Sequence, residues 1–496
     1  MLERRHRFTP LLLLYLLLSS NSANAQPHSI CIIGSGIGGS SLAHFLRRYS
    51  DRQTIGRIRI FERNGVVGGR MATVTIGGET FESGASILHP KNYHAANYTK
   101  YLGLKVKTSD LDDDSLSLGI WNGDKFVYKT LSSNTRLPPL FQRLLSFVNS
   151  IVMLFRYGAF SLLRMNSFVE ETVNKFLRYY QDFGSRPVFE TVDRMLKWAE
   201  LYNLTTMTLG EKLVEVGLSR LLIEELVTVI TRINYGQSMN ISGLAGAVSM
   251  AGSGGDLWAV EGGNWQMAAG LINRSDVALH LNEEIESISY LSNEYQLNST
   301  EGKSYNCQVT AVATPLDEVK IHFNPAISIP PRKLQHTHAT FVRGLLDPAY
   351  FGLNTLSEIP ELVGTIESDD LPFTSISVLK EHEKDKTYKI FSREPMLDAL
   401  LDNIFSERSE TIRIDWAAYP HYQAPEEFAP FILDDKHLYY VNAFENAAST
   451  METSAVAAEN IARLILSRLS GRSRGSSPNL KIVVADDDSS TLHNEL

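Results

Sequence analysis

A glycine-rich stretch near the start of the chain has the residue types and the spacing to hold a dinucleotide. Gly34, Gly36 and Gly39 form G-x-G-x-x-G directly after the apolar run SICII. Gly34 permits a tight turn, Gly36 lets the backbone approach a pyrophosphate, and Gly39 lets the following helix pack closely on the strand. Gly38 lies at the start of that helix, whose free N–H groups and positive dipole end attract phosphate. Glu62 ends the next strand, 23 residues after Gly39, where a carboxylate accepts ribose hydroxyls and disfavours the 2′-phosphate of NADP.

A second glycine pair shortly after Glu62 favours FAD over NAD. Arg63 follows Glu62 directly, and Gly68, Gly69 and Arg70 come next in the stretch ERNGVVGGRMAT. An extended FAD molecule needs close backbone approach at two places, whereas a plain NAD dehydrogenase has no use for the second. Arg70 can contribute a planar cation to the pyrophosphate. The two glycine turns together predict an FAD-binding site, with a cofactor-free fold of the same shape as the alternative.

Four later segments resemble the amine-oxidase branch of flavoproteins, and they occur in the order found in that branch. The segment FESGASILHP contains Gly84, Ala85 and Ser86, and the resemblance implies that it passes beside the isoalloxazine ring. The segments EGGNWQMAAGLI and VTAVATPLDEV resemble a Gly-Gly turn and a later strand of the same branch. Glu445 in YYVNAFENAAS stands where such proteins have an acidic residue near the ribityl and phosphate groups. The resemblance implies that all these residues bind FAD.

Several segments resemble one family within this branch, the prenylcysteine oxidases, whose plant version is called farnesylcysteine lyase. These segments are GSGIGGSSLAHFL, FESGASILHPKNYH, TRINYGQS, AVEGGNWQM and NAFENAASTMETSAVAAENIARL, and the resemblance extends over about residues 29–470. It implies a thioether oxidase that acts on free prenylcysteine during the degradation of prenylated proteins. Prenylcysteine, O2 and water would give cysteine, a prenyl aldehyde and H2O2. FAD is the one cofactor that the resemblance implies.

Two other functions would use the same architecture. Another FAD oxidase, acting on an amine or a polyene, would carry the same glycine turns and differ only in its substrate pocket. Rab escort and dissociation-inhibitor (GDI-like) proteins are not enzymes, bind prenyl groups and have abandoned FAD. The apolar segment at the amino terminus and the intact FENAAS strand count against this second alternative.

Candidate catalytic and substrate-binding residues lie after the segment beside the predicted ring and in two later stretches. His89 in ILHPKNYH can orient or deprotonate an attacking water, although a histidine there can equally hydrogen-bond a backbone group of the turn. Hydride transfer itself needs no protein base, and we expect no metal site. Five further side chains are candidates for contact with substrate, each with a core or capping role as the alternative: Tyr93, Tyr235, Gln237, Asn264 and Trp265.

The chain is expected to leave one α/β domain and to return to it twice. Residues 26–130, 236–320 and 426–470 are assigned to a Rossmann-like FAD-binding domain of the amine-oxidase and GDI-like flavoprotein type. Residues 131–235 have helical patterns. Residues 321–425 alternate short apolar runs with Pro, Asp and Glu, which predicts an antiparallel sheet. These helices and this sheet would form an inserted substrate domain.

The helical part is a candidate source of apolar lining for a prenyl chain. Burying a farnesyl chain is worth at most about 10 kcal/mol, at about 0.8 kcal/mol per carbon, before ordering costs. The candidates are Phe147, Val152, Leu154, Phe155, Phe160 and Leu163. Packing in the core of a helical subdomain is one alternative, and peripheral contact with a membrane surface is another. Asn149, Arg156 and Arg164 interrupt the stretch too often for a helix that spans a bilayer.

Composition and the two ends of the chain bear on where the protein works. The net charge of −9 over 496 residues leaves no basic surplus for nucleic acid. Residues 1–25 combine arginines, the apolar run LLLLYLLL and small residues up to Ala25, which predicts a cleaved signal peptide. Residues 471–496 are polar and predicted to be disordered, and their ending HNEL differs by one residue from the retrieval signal HDEL. We therefore expect the secretory pathway, with a lysosome or vacuole implied by the family and retrieval to the endoplasmic reticulum as the alternative.

Sequons and cysteines give further expectations about the same compartment. Cys31 and Cys307 are expected to be buried thiols rather than a disulfide, because a chain of this length needs no cross-link for stability. Small molecules, namely prenylcysteine and O2, are the expected partners, and no obligate protein partner is evident. Five sequons fit a secretory route and predict glycosylation at Asn97, Asn203, Asn240, Asn273 and Asn298.

Overall fold

A computed structural model describes most of the chain. The described residues are 26–108, 117–131, 139–181, 184, 186–253 and 256–471. The predicted signal peptide lies outside them, and so does the predicted tail apart from Gly471.

A parallel five-stranded sheet forms the centre of the nucleotide-binding part. In the order β20-β13-β1-β2-β9, every neighbouring pair of strands is parallel. Ile30, Cys31 and Ile32 of the first strand are fully buried, as a strand covered on both faces requires. The strands are β1 (His28–Ile33), β2 (Ile55–Phe61), β9 (Ala278–His280), β13 (Val309–Val312) and β20 (Leu438–Tyr440). The chain therefore leaves this sheet and returns to it after long excursions.

The helix that follows the first glycine turn is the centre of a helical layer. This helix, α1 (Ile37–Tyr49), packs against α10 (Trp265–Arg274) and α12 (Met451–Leu469), and α2 (Tyr93–Leu102) packs against the same two helices. A buried carboxylate on α12, Glu459, accepts a hydrogen bond from Tyr49 Oη at 2.7 Å and pairs with Arg186 at 2.6 Å. Burial opposes its charge, but Arg186, His94 and the hydrogen bond from Tyr49 together outweigh burial and lower the pKa of Glu459 below its usual range.

A smaller four-stranded sheet, in the order β12-β11-β10-β14, contacts the parallel sheet through β1 and β13. Cys31 of β1 and Cys307 at the end of β12 form a disulfide. The prediction that both cysteines are free thiols is therefore wrong. Ser29 N donates to Gln308 Oε1 at 2.6 Å, and Gln308 N donates to Ser29 O at 3.1 Å. This pairing brings together two cysteines that are 276 residues apart. The strands are β10 (Ile285–Leu291), β11 (Glu294–Ser299), β12 (Ser304–Cys307) and β14 (His322–Asn324).

A seven-stranded sheet, in the order β19-β15-β18-β17-β16-β6-β7, forms the inserted part. Its neighbouring strands are antiparallel except β16 and β6. Residues 118–129, which the sequence assigns to the FAD-binding part, belong to this sheet, because β6 pairs with a strand more than two hundred residues later. The strands are β6 (Leu118–Trp121), β7 (Phe126–Lys129), β15 (Leu334–Leu346), β16 (Leu362–Thr365), β17 (Ser375–Glu381), β18 (Lys386–Ser392) and β19 (Phe405–Pro420).

Two short antiparallel strand pairs and one helix complete the β part. The pairs are β3 (Thr73–Ile76) with β4 (Glu79–Glu82), and β5 (Val106–Thr108) with β8 (Trp258–Val260). The helix α11 (Asp398–Ile404) precedes β19 and buries Leu401 and Ile404 against the larger sheet.

The helical part between β7 and β8 has an exposed apolar surface at the side chains for which the sequence offers tunnel lining, core packing or membrane contact. Phe155 and Phe160 are 88% and 79% exposed, and the other four candidates for tunnel lining are exposed as well. The expectations of tunnel lining and of core packing, which would bury these six side chains within the chain, are therefore wrong. Among the described residues, no helix is long and apolar enough to cross a membrane. The helices are α3 (Pro139–Tyr157), α4 (Ala159–Phe176), α5 (Val192–Trp198), α6 (Leu209–Val216), α7 (Arg220–Leu222), α8 (Thr228–Tyr235) and α9 (Gly243–Ala251), with a π-helical turn, Ile223–Val227, between α7 and α8.

Candidate active site

The first glycine turn links β1 to α1 and has no room for side chains at two of its positions. Gly34 has φ +104°, and a Cβ there would stand 2.6 Å from the carbonyl oxygen of Ala313. A Cβ on Gly39 would stand 2.1 Å from the carbonyl oxygen of Gly34. At Gly36 the closest atom would be 3.6 Å away, so this glycine faces comparatively open space. The turn therefore has the tight bend and the close helix–strand packing that its spacing predicts.

Glu62 lies directly beside this turn, at the end of β2. Its carboxylate is buried and accepts hydrogen bonds from Ser35 N at 3.2 Å and Ser35 Oγ at 2.6 Å. The other carboxylate oxygen accepts from Asn64 N and Nδ2, each at 2.9 Å. Arg63, the neighbouring residue, is exposed. Glu62 is thus fixed next to the phosphate-binding turn, in a position to accept ribose hydroxyls.

The second glycine pair touches the first turn. Gly36 and Gly68 form an isolated bridge of the parallel type, and Gly68 N donates to Ser35 O at 3.3 Å. Both glycines of the pair need the left-handed region, with φ +120° at Gly68 and +58° at Gly69. A Cβ on Gly69 would stand 3.3 Å from Gly36 Cα. The two stretches of backbone predicted to approach the cofactor are therefore adjacent.

Glu445 is the anion at the centre of a buried charge cluster. Its side chain is 2% exposed, and it pairs with Arg70 through one oxygen and with Arg332 through the other, the latter at 3.0 Å. Arg332 also pairs with Asp317 at 2.5 Å. Burial opposes the charge of Glu445, but Arg70 and then Arg332 outweigh it and lower its pKa to about 2. The carboxylate therefore stays ionised and holds the Arg70 guanidinium next to the second glycine turn.

The stretch from Gly84 to Ser86 continues the same series of backbone contacts. Ala85 N donates to the carbonyl oxygen of Arg70 at 3.0 Å, and a Cβ on Gly84 would stand 2.0 Å from that oxygen. Asn264 Nδ2 donates to the carbonyl oxygens of Ala85 and Ser86, at 2.9 and 3.1 Å. Gly84 must therefore be glycine for the chain to pass Arg70 at all.

A buried lysine from the larger sheet also supports this stretch. Lys389 on β18 is 5% exposed and donates through Nζ to the carbonyl oxygen of Glu82 at 3.1 Å and to Ser86 Oγ at 3.2 Å. Burial lowers the pKa of Lys389 to about 8, and burial raises the pKa of Glu82 to about 7. Trp416 of β19 donates through Nε1 to Ser83 O at 2.8 Å. The sequence analysis missed Arg332, Lys389 and Trp416, because each reaches this place from another sheet.

His89 has a structural task in the loop that follows. Its Nδ1 accepts a hydrogen bond from Lys91 N at 3.0 Å, and its own backbone N–H donates to Asn92 Oδ1 at 2.7 Å. Burial, with a smaller contribution from Lys91, lowers the pKa of His89. A neutral imidazole that accepts at Nδ1 carries its proton on Nε2, where it is a donor. In this arrangement His89 offers no basic nitrogen to an attacking water.

Two residues predicted to contact substrate support the chain at the turn formed by Gly262 and Gly263. Asn264 is fully buried, and its Oδ1 accepts from Val260 N at 2.9 Å while its amide holds Ala85 and Ser86. Trp265 donates through Nε1 to Gly262 O at 3.3 Å. Asn264 therefore positions the stretch predicted to face the ring.

Two of the three remaining substrate candidates, Tyr235 and Gln237, lie around the segment that carries Glu445. Tyr235 Oη donates to Ser449 O at 2.9 Å, and Gln237 pairs with the backbone N–H and carbonyl of Tyr422, each at 2.9 Å. Tyr422 Oη in turn accepts from Ser449 N at 2.7 Å. Tyr93 packs its ring against Tyr180, with centroids 5.0 Å apart. Tyr235 and Gln237 thus brace the segment around Glu445.

These residues fit FAD as a group. Gly36, Gly68, Arg70 and Gly84 form one series of close backbone contacts, which is what an extended dinucleotide needs along its length. The cations of Arg70 and Arg332 lie beside this series of contacts, and the carboxylate of Glu62 lies at the end predicted to hold the ribose. The buried oxygen Glu82 Oε2 has no hydrogen-bond partner within the described residues and marks a polar position still to be satisfied.

Comparison with solved structures gives the class of fold. Cyclohexylamine oxidase from Brevibacterium oxydans aligns with a TM-score of 0.57 and 16% identity over 90% of this chain and 100% of that one. Putrescine oxidase bound to putrescine aligns with a TM-score of 0.54 and 13% identity over 89% and 99%. A model of NAD(P)-binding Rossmann-like domains matches residues 32–102. The predicted fold, that of the amine-oxidase type of flavoprotein, is confirmed.

Comparison with sequences gives the family. The prenylcysteine lyase model matches residues 141–476. Farnesylcysteine lyase of Arabidopsis thaliana is 64% identical over 446 residues, which are 89% of each chain. Human prenylcysteine oxidase 1 is 34% identical over 478 residues, 90% of each chain. The chain belongs to the prenylcysteine lyase family, as the resemblance predicts.

The charge cluster predicts a large and pH-dependent effect of Glu445→Gln. The amide would leave two arginines without their buried partner, which should lower the free energy of unfolding by about 3–5 kcal/mol and lower the bound flavin per chain. Because the folded pKa of Glu445 is depressed, this stabilisation is complete above the unfolded pKa, near ~4.3, and is lost as the pH falls through about 2.

Urea unfolding of the wild type and the variant at several pH values, with flavin content by absorbance, tests this. Glu427→Gln, at an exposed carboxylate in the neighbouring loop, is the matched control and should change neither quantity. Equal stability of the Glu445 variant and wild type near neutral pH would contradict the assignment.

Proposed function

We propose that the chain is an FAD-dependent oxidase that cleaves the thioether of free prenylcysteine. The observation that carries the proposal is the series of close backbone contacts from Gly36 through Gly68 and Arg70 to Gly84, with buried Glu445 beside it. Family membership supports the substrate, since two of the relatives are named farnesylcysteine lyase and prenylcysteine oxidase. Prenylcysteine and O2 are thus the proposed small-molecule partners.

The proposed reaction converts prenylcysteine, O2 and water into cysteine, a prenyl aldehyde and H2O2. FAD, when bound, would accept a hydride from the carbon next to sulfur and pass two electrons to O2. Sulfur stabilises positive charge on that carbon, and the allylic double bond adds to this effect. Water adds to the carbon, and the resulting hemithioacetal collapses to the aldehyde and the thiol.

The residues of this chain contribute position and charge to this reaction. Glu62 is held beside the glycine turn to receive ribose hydroxyls, and Glu445 holds Arg70 for the phosphates. Asn264 holds the backbone carbonyl of Ser86 and Lys389 holds its hydroxyl, so that this stretch keeps one orientation toward the proposed ring position. A fixed face matters because the reacting carbon must lie about 3–3.5 Å from the hydride acceptor.

Anaerobic reduction by farnesylcysteine is the first prediction of this proposal. The purified protein should be yellow, with flavin absorbance near ~450 nm that bleaches when farnesylcysteine is added without oxygen. Admission of air should restore the colour and produce peroxide, together with free thiol and aldehyde. The absorbance and the product assays are read on the same sample.

Each alternative outcome of this experiment would indicate a different function. A yellow protein that farnesylcysteine does not bleach would contradict the substrate and favour an amine or polyene oxidase. A colourless protein that FAD cannot reconstitute would contradict the enzyme and favour a prenyl-binding protein of the GDI-like type.

Substitution of His89 separates a structural role from catalysis. We expect His89→Asn to slow anaerobic flavin reduction or product formation by less than about tenfold, whereas loss of a general base costs about 10²–10⁴-fold. His322→Asn, at an exposed histidine on the edge strand β14, is the matched control. An acidic limb of the pH–rate profile that disappears only in the His89 variant would contradict the structural role.

We further propose that the protein works in the secretory pathway, with a lysosome or vacuole as its destination. The Cys31–Cys307 disulfide supports an oxidising compartment. Four sequon asparagines, Asn97, Asn203, Asn240 and Asn273, are exposed and thus accessible to glycosylation. The fifth, Asn298, is half-buried and donates to Ser287 Oγ at 3.0 Å.

Protein isolated from a eukaryotic host should therefore begin at Gln26 and contain no free thiol after denaturation without reductant. N-terminal sequencing and thiol titration measure the two properties. Retention of residues 1–25, or two titratable thiols, would contradict the secretory assignment. Co-localisation with a vacuolar or a reticulum marker then distinguishes the destination from retrieval.

A further inference from the structure

The hairpin of α3 and α4 is apolar on two faces, and the described residues of the chain cover only one. A helix that is apolar all round is normally buried all round. The covered face packs against the main core through Met153, Tyr157, Leu162, Met165 and Phe168. The other face, here called the outer apolar face, is exposed and consists of Phe147, Val152, Leu154, Phe155, Phe160 and Leu163.

Polar contacts hold the hairpin so that this face points outward. Arg156 donates two hydrogen bonds to Glu225, at 2.8 and 2.7 Å, and Tyr157 Oη donates to the same carboxylate at 3.0 Å. Asn149 exchanges hydrogen bonds with the backbone of Leu131, at 2.8 and 2.9 Å. Turning the outer apolar face inward would leave the largely buried Glu225 carboxylate unpaired, which is costly.

The segment that carries this face is rich in arginine up to residue 169, and Glu170 and Glu171 follow further along α4. Residues 130–169 contain four arginines and no Asp or Glu, although the chain as a whole has a net charge of −9. Two of the arginines, Arg156 and Arg164, lie within a turn or two of Phe155 and Phe160. An exposed apolar face with arginines in its own segment, one of them paired with Glu225, matches a membrane interface whose interior is apolar and whose headgroups are anionic.

The neighbouring segment extends the apolar surface. Arg164 Nη1 donates to Gly217 O at 2.8 Å, so the end of α6 adjoins the hairpin. Val214 before this contact and Leu221 after it are 67% and 40% exposed. Two exposed carboxylates of this segment pair with cations, Glu215 with Lys212 at 3.0 Å and Glu224 with Arg220 at 2.5 Å, whereas Glu211 caps α6 through Thr208.

We propose that the outer apolar face docks on a membrane surface that contains anionic lipid, with Phe155 and Phe160 entering the interface. The described residues include no helix that could span a bilayer, so the contact is peripheral. The proposal goes beyond the chemistry at the flavin site and does not depend on it. A second copy of the chain would be the other cover for such a face, but two copies would bring the same arginines together.

Vesicle binding tests the proposal without any use of activity. The full chain should bind vesicles of phosphatidylcholine with about one third phosphatidylglycerol, bind pure phosphatidylcholine more weakly, and release as salt is raised. Phe155→Ser/Phe160→Ser should weaken partition to the mixed vesicles by at least about tenfold. Leu397→Ser, at a 68% exposed leucine beside α11, is the matched control and should bind as the wild type does.

The alternatives give distinct results. Equal vesicle binding by the double variant and the wild type, or no binding by either, would overturn the proposal. Light scattering could instead show a wild-type dimer that is monomeric in the double variant, with no vesicle binding by either. This result would make the face an interface between copies and would also overturn the proposal. Melting temperature and flavin content of each variant show whether it is folded, and both should match the wild type because the substituted side chains are exposed.

Discussion

The buried carboxylate of Glu445 requires cations on both sides, and the folding of distant parts of the chain supplies them. Arg70 follows the second glycine turn, and Arg332 precedes the long strand β15 of the larger sheet. Neither partner can be removed without leaving an unpaired charge in the interior. The nucleotide-binding part and the larger sheet are therefore fixed relative to each other at the place where a dinucleotide would pass between them. The carbonyl of Arg70 also excludes any side chain at Gly84, so one residue links the charge cluster to the stretch beside the ring.

Several residues predicted to touch substrate also hold neighbouring segments of the chain in place. Tyr235 and Gln237 hold Tyr422 and Ser449, which flank Glu445 in space, and Asn264 holds the backbone of Ala85 and Ser86. This arrangement has a physical reason. Buried amides and phenols must find partners, and the backbone of an irregular cofactor-binding segment has many unpaired groups to offer them. Distinctive polar residues near such a segment therefore brace it more often than they face the substrate.

The parts of the site that the sequence predicts are those whose requirements are local. A tight turn needs Gly34 and a close helix packing needs Gly39 wherever the fold occurs, and Glu62 follows at a spacing set by one helix and one strand. Lys389 and Trp416 contact the backbone of Glu82 and Ser83 from positions 307 and 333 residues later, and Arg332 contacts Glu445 across 113 residues, so no neighbouring residue signals them. The same limit explains the two wrong expectations about strands and cysteines. The partner of β6 is β16, and the partner of Cys31 is Cys307.

Apolar pattern alone indicates that a helix face will be covered, but it does not indicate what covers it. The inner and outer faces of the α3–α4 hairpin have similar side chains, and only the inner face meets the core. Charge is the feature that separates the two cases. A core face needs no cations at its rim, whereas a face that meets an anionic surface gains from arginines and loses from any carboxylate. The absence of Asp and Glu from residues 130–169 was therefore the signal in the sequence that favoured a partner outside the chain.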